Sequence, residues 1–232
     1  MTRCNACDNV VLPRLYPHDT CELEQERKAM NYLHHKLCSS AQWKEVVQRY
    51  AFPWTLEDID LGSDALEVGP GYGVATELIR KRVQHLTCVE SDGKLAESLR
   101  RRFEGNLIVR CEDATAMSLP DNSFDGAVCF TMLHHIKSAE LQDRLFTQIA
   151  RVLKPGGIFA GTDSLKGRFM RLTHLFDTLV LVNPETLPRR LVSAGFEDVC
   201  VDVNPYAFRF RARKPEEKAA LHSAQGCDLK PI

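Results

Sequence analysis

A glycine-rich stretch at residues 66–73 is the part of the sequence best suited to hold a ligand. Apolar residues before it predict a short buried strand, and Gly69, Gly71 and Gly73 predict a turn that leads into a helix. Because glycine has no Cβ and accepts positive φ, main chain in such a turn can lie against a ligand. The following helix points free N–H groups at the same place. We therefore expect this turn to hold a cofactor.

An acidic residue, Glu90, ends the next predicted strand, about 20 residues after the turn. A carboxylate at that place can accept hydrogen bonds from both ribose hydroxyls of an adenosine cofactor. The dinucleotide fingerprint requires glycine at its first, third and sixth positions. Val74 occupies the sixth position here, so the spacing disfavours a dehydrogenase that transfers hydride with a nicotinamide cofactor.

Three polar residues follow later predicted strands: His134 and His135 come after the fourth strand, and Asp163 ends the fifth. Ligands of open α/β sheets bind beyond the carboxyl ends of the strands, so all three are candidate catalytic residues. The alternative is that one or both histidines brace the loop through hydrogen bonds.

The elements that position these residues alternate between strand and helix from residue 64 onward. Four strand–helix–strand steps imply a doubly wound, mostly parallel sheet with right-handed crossovers and helices on both faces. The strands are expected at 64–68, 85–90, 106–111, 124–130 and 158–162, and the helices at 73–83, 93–104 and 138–153. Two more strands, at 196–203 and 206–213, are joined by a link short enough to predict an antiparallel hairpin at a sheet edge.

The segments around this domain differ from it in pattern. Residues 1–21 are interpreted as a flexible arm, and residues 22–61 as a helical preface whose second helix ends at Phe52-Pro53-Trp54. The main domain spans 62–213 with an apolar helical insert at 164–183, and residues 214–232 are expected to be a disordered tail. The preface either lies over the mouth of the site or only packs on the domain and completes its core. The insert is either a lid or an interface. Where they cover the site, the two segments would set specificity.

Composition excludes several classes of function. The chain has 232 residues, of which 44% are hydrophobic and 26% charged, with a formal net charge of −1. This balance is typical of a globular protein and disfavours a nucleic-acid or membrane surface. The basic clusters at 80–82 and 100–102 suit helix ends rather than a phosphate-binding face. No apolar run reaches the roughly 18 residues of a membrane span, and the N-terminus lacks a signal core, so we predict a cytoplasmic protein.

Cysteine usage agrees with that location. Cys88, Cys111, Cys129 and Cys200 fall in predicted strands, where a free cysteine behaves as a small hydrophobe. An odd total of nine cysteines does not suggest a secreted disulfide framework.

A zinc site is the alternative interpretation of the N-terminal cysteines. Cys4 and Cys7 have the spacing of half a zinc knuckle, and Cys21 with His18 or Cys38 could supply further ligands. Neither His18 nor Cys38 makes a standard pair with Cys21, so we expect no metal site.

Six motifs, in order, resemble those of the class I S-adenosylmethionine-dependent methyltransferases, and most of all the small-molecule type that includes the ubiquinone-biosynthesis methyltransferases. The resemblance covers about residues 62–163 and continues more weakly to about 213. The motifs lie at 66–73, 89–90, 112–114, 123–126, 133–136 and 151–157.

This resemblance implies a role for each matched residue. The three glycines would line the methionine part of the cofactor, Glu67 would hold its amino end, and Glu90 the ribose. Asp113 would accept from the adenine amino group. The full implied cofactor-binding set is Glu67, Gly69, Pro70, Gly71, Gly73, Glu90, Ser91, Asp113, Ala114, Thr131 and Met132, the last two near the sulfonium.

The expected function is methyl transfer from S-adenosylmethionine to a small-molecule acceptor, with S-adenosylhomocysteine as product. Alignment of the acceptor is the main task, and a base is needed only for an acceptor that holds its proton tightly. Two alternatives are an RNA methyltransferase with an N-terminal zinc-binding arm, and a catalytically silent module that binds the cofactor or a partner. The chain is expected to be a monomer or a homodimer.

Overall fold

Seven strands form a single sheet in the order β3-β2-β1-β4-β5-β7-β6. The structure is a computed structural model that describes residues 31–103, 105, 107–165, 167 and 177–217. β7 runs antiparallel to its neighbours β5 and β6, and the other pairs are parallel. The strands are β1 (Asp64–Val68), β2 (His85–Glu90), β3 (Leu107–Cys111), β4 (Phe124–Phe130), β5 (Leu153–Ser164), β6 (Glu197–Val203) and β7 (Ala207–Arg213). The predicted fold class, including the C-terminal hairpin, is confirmed.

Helices cover both faces of this sheet, and several begin at a side chain that caps them. Ser40 accepts a hydrogen bond from the Trp43 N–H at 3.1 Å, and Ser138 accepts from the Leu141 N–H at 3.2 Å. The helices are α1 (Tyr32–Cys38), α2 (Ala41–Val46), α3 (Phe52–Leu56), α4 (Thr76–Ile79), α5 (Gly93–Arg102), α6 (Ala139–Val152) and α7 (Leu187–Ser193). Short 3₁₀ turns follow β3 (Ala114–Ala116) and β4 (Leu133–His135).

The core consists of two apolar layers, one on each face of the sheet. Along β4, alternate residues enter opposite layers: Cys129 joins the layer under α6 and α7, and Val128 joins the layer under α3, α4 and α5. Both faces of this strand are covered, which explains its nearly continuous apolar sequence. On the second face the Phe52 ring stacks on Phe130, with ring centroids 5.8 Å apart. The helices before β1 therefore pack on the sheet.

Proline in the preface lies inside a helical run instead of ending it, contrary to our prediction. Helical backbone continues from α2 through a π-helical turn at Val47–Ala51 into α3, which contains Pro53. Proline has no N–H to continue the helical ladder, and a π-helical turn is a common place for that ladder to be interrupted, so the two features adjoin here.

Two other elements differ in length from the prediction. β5 extends through Pro155-Gly156-Gly157, because a bulge lets the segment between Phe124 and Gly126 of β4 oppose a longer segment of β5. The helix expected at 73–83 is only the short α4, and residues 71–75 form turns before it. The glycine-rich turn is thus longer than the sequence pattern indicates.

Several predictions fall wholly or mainly outside the described residues. These are the arm at 1–21 with Cys4, Cys7 and Cys21, the start of the preface at 22–30, most of the helical insert, and most of the tail. The described end of the insert, 177–183, is not helical. In the part of the chain that the structure describes, no helix is both long enough and apolar enough to cross a bilayer.

The strand cysteines behave as predicted at three positions and not at the fourth. Cys88, Cys129 and Cys200 are free thiols. Cys111 is disulfide-bonded, so the expectation of a free thiol there is wrong. Cys111 ends β3, which is the edge strand of the sheet, where a segment outside the sheet can reach it.

Candidate active site

A cavity of about 600 Å³ opens beyond the carboxyl ends of β1, β2 and β4. β2 and β4 are the two neighbours of β1. From β2 the chain continues outward to β3 on one side, and from β4 it continues outward to β5 on the other. Such a switch in strand order opens the crevice where open α/β sheets bind ligands.

Two groups of residues line this cavity. We call the first the strand-end wall, since its members lie in or just after the carboxyl ends of β1, β2, β3 and β4: Glu67, Gly69, Pro70, Gly71, Tyr72, Glu90, Ser91, Asp92, Asp113, Ala114, Thr131 and Met132. We call the second the helical wall: Cys38, Trp43, Val47, His135, Ile136, Asp177 and Thr178. All predicted cofactor-binding residues except Gly73 lie on the strand-end wall.

Glycine is required in the turn for two different reasons. Gly71 has φ +55°, and a Cβ built there would meet no atom within 4 Å, so its main chain faces open space. Gly69 has φ +65°, and a Cβ there would lie 2.9 Å from the Cβ of Met132. The turn therefore combines left-handed backbone with room for a ligand directly against it. Gly73 instead packs against Leu99 and Phe103 of α5.

Glu90 holds the glycine turn in place. Its Oε2 accepts from the Gly71 N–H at 3.0 Å, and its Oε1 accepts from the Asp92 N–H at 2.9 Å. Burial raises the pKa of this carboxyl despite these hydrogen bonds. Each carboxylate oxygen has a further lone pair, so Glu90 can also accept from a ligand in the cavity.

Glu67 is a second buried carboxyl on the same wall, with only 1% of its surface exposed. Burial raises its pKa to about 7. The Cys88 thiol donates to its Oε2 at 3.5 Å. A cationic ligand would stabilise the ionised form of this buried carboxyl, because the ligand's charge offsets the free-energy cost of burying the carboxylate.

Asp113 and Thr131 complete the wall at the ends of β3 and β4. The Asp113 Oδ1 accepts from both the N–H and the hydroxyl of Thr115, each at 2.9 Å. This caps the 3₁₀ turn that carries Ala114. Thr131 has φ +50°, a conformation that costs energy in a non-glycine residue and that clusters at functional sites.

The structure brings one of the three candidate catalytic residues to the cavity. His135 lines it, whereas His134 and Asp163 are buried behind it. The His134 Nδ1 lies 2.5 Å from the Asp163 Oδ1, and the His134 N–H donates to the Asp163 Oδ2 at 3.1 Å. This pair ties the loop after β4 to the end of β5, as the bracing alternative described.

Sequence reasoning missed two residues beside His135: Asp177 on the helical wall and His34 behind it. The rings of His34 and His135 stack with centroids 4.9 Å apart, and the His34 Nδ1 lies 2.9 Å from the Asp177 Oδ2. Burial lowers the pKa of His34. The adjacent histidines His34 and His35 at the start of a helix were a usable signal, whereas nothing in the sequence near Asp177 marks it.

Comparisons with known proteins relate this chain to methyltransferases. A model of the methyltransferase domain family matches residues 66–161. A probable S-adenosylmethionine-dependent methyltransferase of Mycolicibacterium smegmatis is 31% identical over 140 residues, or 59% of this chain and 52% of that protein. Ribosomal RNA small subunit methyltransferase A of Fusobacterium nucleatum is 38% identical over 66 residues, or 28% of this chain and 25% of that protein. The chain thus spans only about a quarter and about half of these relatives.

A solved structure shows the same fold over most of the chain. The S-adenosylmethionine-dependent methyltransferase of Archaeoglobus fulgidus superposes with a TM-score of 0.60 and 19% identity, covering 75% of this chain and 93% of that one. The motifs, the strand order and the family match therefore agree, and residues 66–161 belong to the methyltransferase domain of the class I S-adenosylmethionine-dependent family.

Proposed function

We propose that this protein transfers a methyl group from S-adenosylmethionine to a small-molecule acceptor by in-line displacement. The observation that carries this proposal is that one cavity joins the strand-end wall to a second wall of different chemistry. A methyltransferase needs both, because the methyl donor and the acceptor must meet in a fixed geometry.

The strand-end wall fits the cofactor. The open space against Gly71, the buried carboxyl of Glu67 and the remaining acceptor capacity of Glu90 suit a ligand with an amino group and ribose hydroxyls. Glu67 would hold the amino group, Glu90 the ribose and Asp113 the adenine amino group. The bound cofactor supplies a methyl group on a sulfonium sulfur, which keeps the carbon–sulfur electron pair when an acceptor lone pair takes the methyl carbon.

The helical wall fits a small acceptor with an apolar part and a polar reacting group. Trp43, Val47 and Ile136 supply apolar surface, and His135 and Asp177 supply polar atoms. Pockets for small molecules have this composition. Alignment of two reactants in such a pocket can contribute on the order of 7–11 kcal/mol in ideal cases.

His135 is our candidate for the group that takes a proton from the acceptor. It is the member of the His134, His135 and Asp163 set that lines the cavity. We assign His134 and Asp163 a positioning role, because their mutual hydrogen bonds fix the turn that carries His135.

Methylation of RNA is a second candidate, favoured by the similarity to the ribosomal RNA methyltransferase of Fusobacterium nucleatum. The net charge of −1 opposes it, since phosphate contacts need a basic surface. The basic cluster at 100–102 is also partly neutralised, because Arg101 pairs with Glu97 and Arg102 with Glu77. Salt-dependent binding of RNA by the purified protein would favour this candidate.

Calorimetric titration with S-adenosylhomocysteine tests the cofactor roles. We expect Glu90→Ala to weaken binding roughly 100-fold or more, because it removes acceptors for two hydroxyls, and Asp113→Ala to weaken it roughly tenfold. Glu57→Ala, at an exposed glutamate outside the cavity, is the control and should bind as wild type does. Equal affinity in all four proteins would refute the assignment.

Turnover separates the enzyme from a silent module. We expect methyl transfer to at least one member of a broad panel of small acceptors, measured as release of S-adenosylhomocysteine. Retained cofactor binding without any turnover would favour a silent cofactor-binding module. Cytoplasmic location and a monomeric or homodimeric state remain part of this proposal.

A further inference from the structure

Three side chains that commonly bind metals meet at the helical wall. His34, His135 and Asp177 each offer one ligand atom, and these three atoms all lie within 4.8 Å of one another. They come from α1, from the 3₁₀ turn after β4 and from the loop before α7. We propose that they bind a divalent first-row transition metal ion, a site that revises our expectation of none.

The spacing of the ligand atoms suits such an ion. The His34 Nδ1 and the Asp177 Oδ2 are 2.9 Å apart. An ion about 2.0–2.2 Å from each atom would see them at roughly 90°, the angle between neighbouring ligands of a five- or six-coordinate ion. The His135 ring stacks on His34 at an angle of 23° and is only partly buried. Its ring must turn out of this stack to bring a nitrogen to the same ion, and its partial exposure leaves room for that turn.

The ligand set selects the class of metal. Two imidazoles and one carboxylate suit zinc, iron, cobalt or nickel, whereas magnesium and calcium prefer sites made of oxygen atoms. With three protein ligands, the ion keeps one or more coordination positions open for water or a bound small molecule. His135 and Asp177 line the cavity, so the open positions face it.

Neighbouring groups fix the orientation of these side chains, as is usual around metal ligands. The Thr178 N–H donates to the Asp177 Oδ1 at 2.9 Å, which leaves Oδ2 directed at His34. The Gln142 Nε2 donates to the carbonyls of Leu133 at 3.1 Å and Val180 at 2.8 Å. Gln142 therefore ties the turn that carries His135 to the loop that carries Asp177.

An ion at this place would define the acceptor more closely. On the proposed methyl-transfer function, on which this step rests, the acceptor's oxygen or sulfur would occupy an open position on the ion. The expected acceptors are then compounds whose methylated atom is a hydroxyl oxygen or a thiol sulfur. Binding to the ion would favour loss of the acceptor's proton to solvent, as it does for metal-bound water. His135 would then be a ligand of the ion in place of the proton-accepting role proposed above.

Cobalt is the probe for this site, because Co²⁺ absorbs visible light when bound. The full chain is stripped with a chelator and titrated with Co²⁺, without any methyl donor. We expect one equivalent to bind with a visible band that Zn²⁺ abolishes, and without the near-ultraviolet band of thiolate ligands. His34→Gln and Asp177→Asn should each weaken Co²⁺ binding by more than the roughly 10–100-fold that loss of an outer partner costs.

Two controls place the ion. His85→Gln changes an exposed histidine at the opposite end of the strands, paired with Asp64, and should leave the titration unchanged. A variant with Cys4→Ser and Cys7→Ser should also bind Co²⁺ as wild type does. The proposal is overturned if the wild-type chain fails to bind Co²⁺. It is also overturned if the His34 and Asp177 variants, with unchanged circular dichroism, bind Co²⁺ as tightly as wild type, or if the cysteine variant loses binding. Failure here is distinct from failure of the S-adenosylhomocysteine titration, which needs no metal.

Discussion

The two walls of the cavity are built in different ways. On the strand-end wall, the hydrogen bond between the Gly71 N–H and Glu90 joins residues 19 apart in the chain. On the helical wall, the contact between His34 and Asp177 joins residues 143 apart. The part of the first wall that holds Gly71 and Glu90 therefore follows from one strand–turn–helix–strand unit, whereas the second wall exists only once the whole domain has folded. A shared cofactor suits the first kind of wall, and an acceptor particular to this protein suits the second.

Burial acts on the titratable groups of both walls. Burial raises the pKa of Glu67 and Glu90 on the strand-end wall, and it lowers the pKa of His34 behind the helical wall. Each group is thus shifted towards its neutral form when no ligand is present. Ionising the buried carboxyls of the strand-end wall lowers the stability of the ligand-free protein, and a cationic ligand would restore it. This loss of stability can be measured as a function of pH.

The largest effect is expected at Glu67. Its pKa of about 7 in the folded protein lies above that of an unfolded glutamate, so wild-type stability should fall as pH rises from about 4.5 to about 7. Glu67→Gln cannot ionise. Without cofactor, it should exceed wild type by roughly 3 kcal/mol in unfolding free energy at pH 8, and by little at pH 4.5. Denaturant melts across this pH range measure the difference.

The same change should act oppositely on the cofactor. The ionised Glu67 is the form that pairs with an amino group, so wild-type affinity for S-adenosylhomocysteine should rise with pH through about 7, and Glu67→Gln should lack this rise. Glu57→Gln, at an exposed position, is the matched control. If Glu67→Gln is less stable than wild type at pH 8, the ionised Glu67 carboxylate does not destabilise the folded protein.

The same contrast explains which parts of the site the sequence predicts. Local spacing identified Gly71 and Glu90, because strand ends of a parallel sheet meet at one edge. It proposed both His134 and His135 at this edge, and in the structure His135 lines the cavity while His134 is buried behind it, since adjacent residues in a short turn point to different sides. Asp177 could not be found, because its proposed role depends on a contact with α1 that no local pattern encodes. Pro53 and β5 show the same limit in the fold, where a π-helical turn and a bulge override local signals.

The helical wall should lose its shape when Gln142 is changed. Gln142→Leu keeps the size of this fully buried side chain and removes the Nε2 donor to the Val180 carbonyl, whereas the Leu133 carbonyl still accepts from the Ile136 N–H. We expect a loss of about 2 kcal/mol in unfolding free energy, the cost of an unsatisfied buried acceptor. Affinity for S-adenosylhomocysteine should change less than about threefold, because neither carbonyl that Gln142 binds belongs to a strand-end residue. Chemical denaturation and calorimetry measure the two quantities.

A surface change on the same helix provides the comparison. Thr147→Ala removes an exposed hydroxyl of α6 that donates to the Asp143 carbonyl, and it should alter stability by no more than about 0.5 kcal/mol. Turnover should fall in Gln142→Leu and stay unchanged in Thr147→Ala. Equal turnover in both variants would mean that the geometry of the helical wall does not limit the reaction.

The smallest effect is expected where the two walls touch. The Tyr72 hydroxyl of the strand-end wall hydrogen-bonds the His35 Nδ1 of α1, and their rings meet edge to face with centroids 6.0 Å apart. Tyr72→Phe keeps the ring contact and removes the hydrogen bond, so stability should fall by about 1 kcal/mol. Amide hydrogen exchange across α1 should become faster, with S-adenosylhomocysteine affinity within about twofold of wild type. Tyr50→Phe, at an exposed tyrosine, should change neither. If Tyr72→Phe weakens cofactor binding tenfold instead, the walls are energetically coupled, because ordering α1 then contributes to holding the glycine turn.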